Sequence, residues 1–248
     1  MGGTPWHEQN GFWEMVYPIL FSQRRLSETL TEVDSIMSLL GISAGACILD
    51  LCCGMGRHSL EFARRGFIVT GVDRTPFYLK KAIKSARTEG LSVEFIQDDM
   101  RKFRRTNGFD AVINLFTSFG YFEDVEDDRQ VVKNVYYSLK SGGVFLLEMM
   151  GKEILARIFL ERGWREEDGI IVLEERKLNK DWGWIDNRWI MFRGDRRKEY
   201  RVSHRLYSAV ELSTLLRETG FGQIDVFGGL DGSLYDHTAK RLVVVARK

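Results

Sequence analysis

The chain has 248 residues, 44% of them apolar, and a net charge of +1. That length and composition suit one domain with an insertion or an added lobe, built around a large buried core. The near-neutral balance gives no electrostatic case for nucleic acid or a membrane surface, and no apolar run approaches a membrane span.

In chain order, the first twenty residues hold Trp6, Phe12, Trp13 and Tyr17 among polar groups, with Phe21 just beyond. They do not read as a strand. Such a segment either packs on the core or closes as a lid over a ligand, with Tyr17 near the reacting groups. Leu26, Leu30, Val33, Ile36, Met37 and Leu40 recur at helical spacing, and Gly41 ends that helix. Residues 1–45 are therefore expected to form a lid segment and a leading helix.

Ile48–Leu51 is an apolar strand that runs into a turn with Gly54 and Gly56. A helix carrying Leu60, Phe62 and Ala63 stops at Gly66, and a second strand, Phe67–Val72, ends on Asp73. This is a βαβ unit of the kind that binds a nucleotide-like cofactor. The glycines admit close backbone approach, and the helix N-terminus offers unpaired N–H groups to an anion. A carboxylate about twenty residues beyond such a turn can accept both ribose hydroxyls. Cys47, Cys52 and Cys53 are the three cysteines. They suit neither a zinc site nor a disulfide framework, so no metal is expected, and a reducing cytoplasm is the natural compartment.

Beyond Asp73, Pro76 opens a helix that Gly90 closes, and Ser92–Ile96 is a short strand before Gln97-Asp98-Asp99-Met100. A fourth strand, Phe109–Phe116, a helix with Val131 and Val135, and a fifth strand, Val144–Met149, complete residues 46–150. The acidic run Glu123–Asp128 reads as a solvated helix cap. Alternating strand and helix predict a parallel sheet covered on both faces. From residue 151 to 207 the pattern changes to three β-rich stretches, Ile170–Leu178, Trp182–Phe192 and Lys198–Tyr207, with turns at Asn179–Asp181 and Gly194–Asp195. This reads as an antiparallel β insertion and a substrate lobe. Trp182 and Trp184 would share a strand face. Ser208 and Glu211 form a capping box, and two closing strands end residues 208–248.

Asp50, Cys53, Gly54 and Gly56 make an acid-x-x-Cys-Gly-x-Gly run that resembles motif I of class I S-adenosylmethionine-dependent methyltransferases, of the small-molecule type. Cys52 stands where that family often has Gly, and Ser59 stands where the dinucleotide fingerprint of dehydrogenases wants a third Gly or Ala. The resemblance implies an α/β, Rossmann-like doubly wound sheet of seven strands, mostly parallel with an antiparallel last strand. It implies S-adenosylmethionine as cofactor and S-adenosylhomocysteine as product. Donor contacts are then expected from Tyr17, Asp50, Cys52, Gly54, Gly56, Asp73, Arg74, Asp99 and Met100. Asn114, Leu115, Phe116 and Phe119 are added from the segment after the fourth strand, whose carbonyls and rings suit a sulfonium. A hydroxyl acceptor benefits from a general base, for which Tyr17, Tyr121, His204 and His237 are candidates; an amine needs only to arrive neutral. The expected partner is a small-molecule acceptor methylated at N or O, with a monomer or homodimer acting alone. The alternatives are an NAD(P)-dependent oxidoreductase and a non-catalytic S-adenosylmethionine-binding protein.

Overall fold

The computed structural model describes residues 4–179 and 181–248. A short 3-10 turn (Trp6–Glu8) leads into α1 (Asn10–Leu20), α2 (Gln23–Ser27) and α3 (Thr29–Leu40). The first segment is thus helical, and the single leading helix expected from Leu26 to Leu40 is broken at Glu28. Leu30 is exposed, while Val33, Ile36 and Leu40 carry the buried face.

The core alternates as β1 (Cys47–Leu51), α4 (Arg57–Arg64), β2 (Ile68–Asp73), α5 (Pro76–Glu89), β3 (Val93–Gln97), β4 (Phe109–Asn114), α6 (Val125–Ser138) and β5 (Leu139–Met149). After the insertion come α8 (Ala209–Thr219), β10 (Gln223–Phe227) and β11 (Leu242–Arg247). The seven strands lie in the order β10-β11-β5-β4-β1-β2-β3. All neighbours are parallel except β11, which is antiparallel to both β5 and β10. Ile48, Val69, Ile113 and Leu146 bury one face under α3 and α4; Leu49, Val112, Phe145 and Val244 bury the other under α6 and α8. The strand order reverses between β1 and β4, so the carboxyl ends of these two strands open the crevice where such sheets take ligands.

The insertion holds α7 (Lys152–Ile158) and four strands, β6 (Arg162–Glu167), β7 (Ile170–Leu178), β8 (Trp184–Arg193) and β9 (Arg196–Arg205), in one antiparallel sheet. The first strand and α7 had no clear sequence signal. β6 is an edge strand whose RGWREE pattern buries little. Trp182 is not on a strand: at φ 58° it sits in the turn and meets Phe159, while Trp184 begins β8. Of the expected turn at 179–181, Lys180 lies outside the described residues. The inner face of this sheet packs on α1, with Phe12, Val16 and Ile19 against Ile170, Val172, Met191 and Val202.

Asp128 departs from the expected solvated acidic run. Asp124 does cap α6, accepting from Glu126 N–H, but Asp128 is fully buried. It accepts from Tyr207 Oη at 2.8 Å and pairs with Arg205 at 3.3 Å, which ties α6 to the end of β9. Burial pushes its carboxyl up to about 6, against the pull of Tyr207 and Arg205. In the unfolded chain it titrates near ~4. Between those values the folded state keeps a proton that the unfolded chain has released, so stability falls as pH rises through the window. In Asp128→Asn that dependence is absent. Its stability relative to wild type is expected to rise by about 2–3 kcal/mol from pH ~4 to ~7. Urea denaturation of both proteins at the two pH values checks this; a difference that does not change with pH would refute it.

Candidate active site

The chain turns sharply at the carboxyl end of β1. Cys52, Gly54 and Gly56 all have positive φ, at 66°, 57° and 77°. A non-glycine residue in that region costs of order 1–3 kcal/mol and persists only where its surroundings hold it. The holding bonds are visible. Cys53 N–H donates to Val72 O at 3.0 Å, and Gly54 N–H donates to Asp73 Oδ2 at 2.8 Å. A Cβ at Gly56 would lie 2.9 Å from the Phe95 ring, so this turn packs directly on the core. A second strained turn stands at the end of β4, where Phe116 and Thr117 have φ of 59° and 57°. Glu148, from the end of β5, accepts Phe116 N–H at 2.6 Å, and its other oxygen pairs with Arg241.

Between these turns, α1 and the inner face of the insertion sheet lies a cavity of about 870 Å³. Asp50, Cys52, Gly54, Asp73, Arg74, Asp99, Met100, Leu115 and Phe116 line it, as do Tyr121 and His204. Phe12, Trp13 and Val16 of α1 and Asn187, Trp189 and Val202 of the insertion form the opposite walls. The leading segment is therefore both packed and a wall. It is fastened from both sides: Trp6 Nε1 donates to Ser203 O at 2.8 Å, Tyr78 Oη to Trp13 O at 2.7 Å, and Arg74 Nη1 to His7 O at 2.8 Å.

Five expected residues do not line the cavity. Tyr17 sits one step round α1 from Trp13 and Val16; its hydroxyl meets Met55 Sδ at 3.4 Å and its ring carries Lys81 at 4.5 Å. Phe119 swings into the core beside Tyr207, because the left-handed turn at Phe116 and Thr117 redirects the chain. His237 is exposed on the loop before β11, where its carbonyl accepts from Arg157. Gly56 is buried and packs against Phe95 and Ala82. Asn114 is buried, with Nδ2 donating to Leu51 O at 3.1 Å, and so ties β4 to β1. Of the four catalytic candidates, only Tyr121 and His204 remain at the cavity.

The carboxylates are not idle. Asp50 Oδ2 accepts from Ser59 Oγ at 2.5 Å, so the serine that departs from the dinucleotide fingerprint fastens the motif acid. Asp73 accepts from Thr75 N–H at 2.7 Å as well as from Gly54, yet burial still raises its pKa. Asp99 is forked by Arg101, with Nη2 to Oδ2 at 2.6 Å. Burial opposes its ionisation, but the Arg101 bonds outweigh that and hold it below the usual range. Burial raises the Cys52 and Cys53 thiols well above theirs, so both are neutral. Burial also raises the Tyr121 phenol, and it lowers His204 to about 4.

The site also contains Arg57, which sequence alone could place opposite a carboxylate, and residues that sequence reading passed over: Arg25, Glu32, Glu148 and Arg241. Only Glu148, an acid inside the apolar run Val144–Met149, carried a local signal. Glu32 joins Arg57 and His58, with His58 Nε2 at 2.9 Å.

The residues present fit S-adenosylmethionine. Carboxylates stand at the ends of β2 and just beyond β3, apolar Leu115 and Met100 lie beside them, and two strained turns face one another across the crevice. Comparison with known proteins agrees. Residues 48–143 match the family described as Methyltransferase domain. The protein named "Putative methyltransferase" in Geobacillus sp. (strain WCH70) is 24% identical over 255 residues, covering 98% of this chain and 99% of that one. The glycine/sarcosine N-methyltransferase of Aphanothece halophytica is 25% identical, over 78% of this chain and 76% of its own. The crystal structure of an S-adenosylmethionine-dependent methyltransferase from Clostridium acetobutylicum ATCC 824 has the same fold, with TM-score 0.78, 17% identity, and 96% and 98% of the two chains covered.

The fold and this site define a class I methyltransferase. Residues 48–143 are a methyltransferase domain, and S-adenosylmethionine is the cofactor of the enzyme.

Proposed function

We propose that the protein methylates nitrogen on a small-molecule acceptor held between the Rossmann-like core and the insertion sheet. One observation carries this reading: the cavity is continuous from the Gly54 turn to Asn187, Trp189 and His204 on the insertion. Its volume of about 870 Å³ lies near the upper end of the range for a single ligand, roughly 300–1,000 Å³. That leaves room for a second, small molecule beside the donor.

When bound, S-adenosylmethionine supplies a methyl carbon already activated by its sulfonium. The chain's own residues then have to hold, orient and dehydrate the reactants. Asp73 is assigned to the ribose hydroxyls and Asp99 with Met100 to the adenine. The backbone from Cys52 to Gly54 is assigned to the amino-acid tail, with Leu115 and Phe116 beneath the methionyl chain. On the acceptor side stand Tyr121, Asn187, Trp189 and His204.

Nitrogen is favoured over oxygen by the bases on offer. Removing a hydroxyl proton calls for a base titrating near neutrality. His204, lowered to about 4 by burial, is too weak for that. As an imidazole that is neutral around pH 7 it is well suited to accept one hydrogen bond from an amine and orient it. The Aphanothece relative, named for glycine and sarcosine N-methylation, is in keeping with this.

The test is methylation of a metabolite extract with isotopically labelled donor, followed by mass identification of the product. Label in an N-methyl compound is expected; label only in protein, RNA or an O-methyl compound would overturn the reading. With that acceptor in hand, His204→Phe is expected to slow turnover by about tenfold or more, the worth of one oriented hydrogen bond. Affinity for S-adenosylhomocysteine should not change. The folded pKa of His204 also predicts no ionisation of this group in the rate profile above pH ~5, since the imidazole is neutral there.

A further inference from the structure

The insertion sheet leaves one strand edge open. β6 is the first strand of that sheet and, among the described residues, pairs only with β7. The turn between them is Asp168-Gly169, with φ of 50° and 70°. In such a tight hairpin the flanking residues, here Glu167 and Ile170, form a hydrogen-bonded pair. Bonded and non-bonded positions alternate along an antiparallel ladder, so Gly163 and Arg165 also bond β7. The same alternation reaches Glu161, whose carbonyl accepts Arg176 N–H at 2.7 Å. Arg162, Trp164 and Glu166 therefore turn their N–H and C=O groups to the free edge. Their side chains share one face. It is the outer face: the cross-strand neighbours Ile171 and Leu173 are exposed, while Ile170 and Val172 are buried against α1. Trp164 is 71% exposed, and Leu160, just ahead of the strand, is 65% exposed. Neither Arg162 nor Glu166 has an opposite charge within 4.0 Å among the described residues.

We propose that the β6 edge pairs with the β6 edge of a second copy of this chain, antiparallel, about a two-fold axis at Trp164. An axis perpendicular to the sheet keeps outer face with outer face and makes the contact isologous. Centred there, it sets Trp164 beside the partner's Trp164, Arg162 beside the partner's Glu166, and Glu166 beside the partner's Arg162. Each opposed pair exchanges both backbone hydrogen bonds, because these are the residues whose bonding groups face the edge. Sliding the strands by two residues keeps backbone bonds but sets Glu166 opposite Trp164 or Leu160, so the charges select one register. Charged side chains on an open edge ordinarily deter pairing. Here the two-fold turns them into attraction. The apolar row Trp164, Leu173, Ile190 becomes continuous with its own copy across the joint. The joined sheet carries the acceptor walls of both copies on its inner face. This interface goes beyond the reading of the acceptor and does not depend on it.

The test is sedimentation velocity of the full chain across the micromolar range, where wild type is expected to dimerise. Arg162→Glu and Glu166→Arg each set like charge against like at both ends of the joint. Each is expected to weaken dimerisation by about tenfold or more. Between the two variants the opposed charges are complementary, so an equimolar mixture of them is expected to form a heterodimer about as tight as the wild-type dimer. The variant carrying both changes restores the match within one chain and should dimerise as well. Neither residue lines the cavity, so S-adenosylhomocysteine binding should be unchanged in every variant, which shows that each is folded. A wild type that stays monomeric throughout the range overturns the proposal. So does a dimer that survives both single reversals, or one that neither the mixture nor the double change restores.

Discussion

Asp73→Ala is expected to weaken S-adenosylhomocysteine binding by roughly 30-fold or more, about 2 kcal/mol, the scale of a lost pair of charge-assisted hydrogen bonds. The carboxylate has two tasks. It receives Gly54 N–H and Thr75 N–H at 2.8 and 2.7 Å, which shapes the donor turn, and it stands at the cavity end of β2. Alanine removes both, so a loss of stability of about 1–3 kcal/mol should accompany the loss of affinity. Asp73→Asn keeps one acceptor oxygen for the backbone. It should recover part of the stability while still binding the ribose less well than the carboxylate does. Calorimetric titration beside urea denaturation separates the two tasks. A folded Asp73→Ala with undiminished affinity would sink the ribose assignment.

The second large effect is expected where the insertion joins the core. Gly120 has φ 92°, and an added Cβ would lie 2.9 Å from the carbonyl oxygen of Arg205. Arg205 N–H in turn donates to Gly120 O at 2.6 Å, and its guanidinium reaches Glu123 O at 2.7 Å. Neither the strand end nor the loop after β4 is free to give way. Gly120→Ala therefore combines a left-handed L-residue with a clash against backbone, and a loss of about 2–4 kcal/mol is expected. The damage should be directional. Asp73, Asp99 and the glycine turn lie on the other side of the cavity, so donor affinity in the folded variant should change little. His204 and Asn187 shift with the insertion, so the KM for the acceptor should rise. Denaturation at wild-type midpoint would show that the junction is looser than these contacts imply.

The local part of the molecule was legible from residues alone. The βαβ unit from Ile48 to Asp73 announces itself because each of its signals is short-range: a run of apolar residues for the buried strand, helical spacing for α4, and glycines where φ turns positive. The same holds for the strand-helix alternation to Met149 and for the capping box at Ser208. The family resemblance rested on those same residues, and it implied the antiparallel closing strand. Other features were set by packing between distant segments. β6 and the break between α2 and α3 carry no strong local pattern. Tyr17 left the cavity because one step round a helix changes its neighbours, and Phe119 left it because Phe116 and Thr117 take a left-handed turn that Glu148, 32 residues on, holds in place. The charge balance at the site was equally hidden. Arg25 lies apart from Arg57 and Arg241 in sequence, and only the folded chain brings the three guanidiniums together and leaves one of them without a partner. Sequence thus determined the elements and the donor-binding crevice, because hydrophobic period and glycine placement act within a few residues. The tertiary structure decided which side chains face one another across that crevice, because side-chain direction depends on register, helix rotation and the turns that long-range bonds enforce.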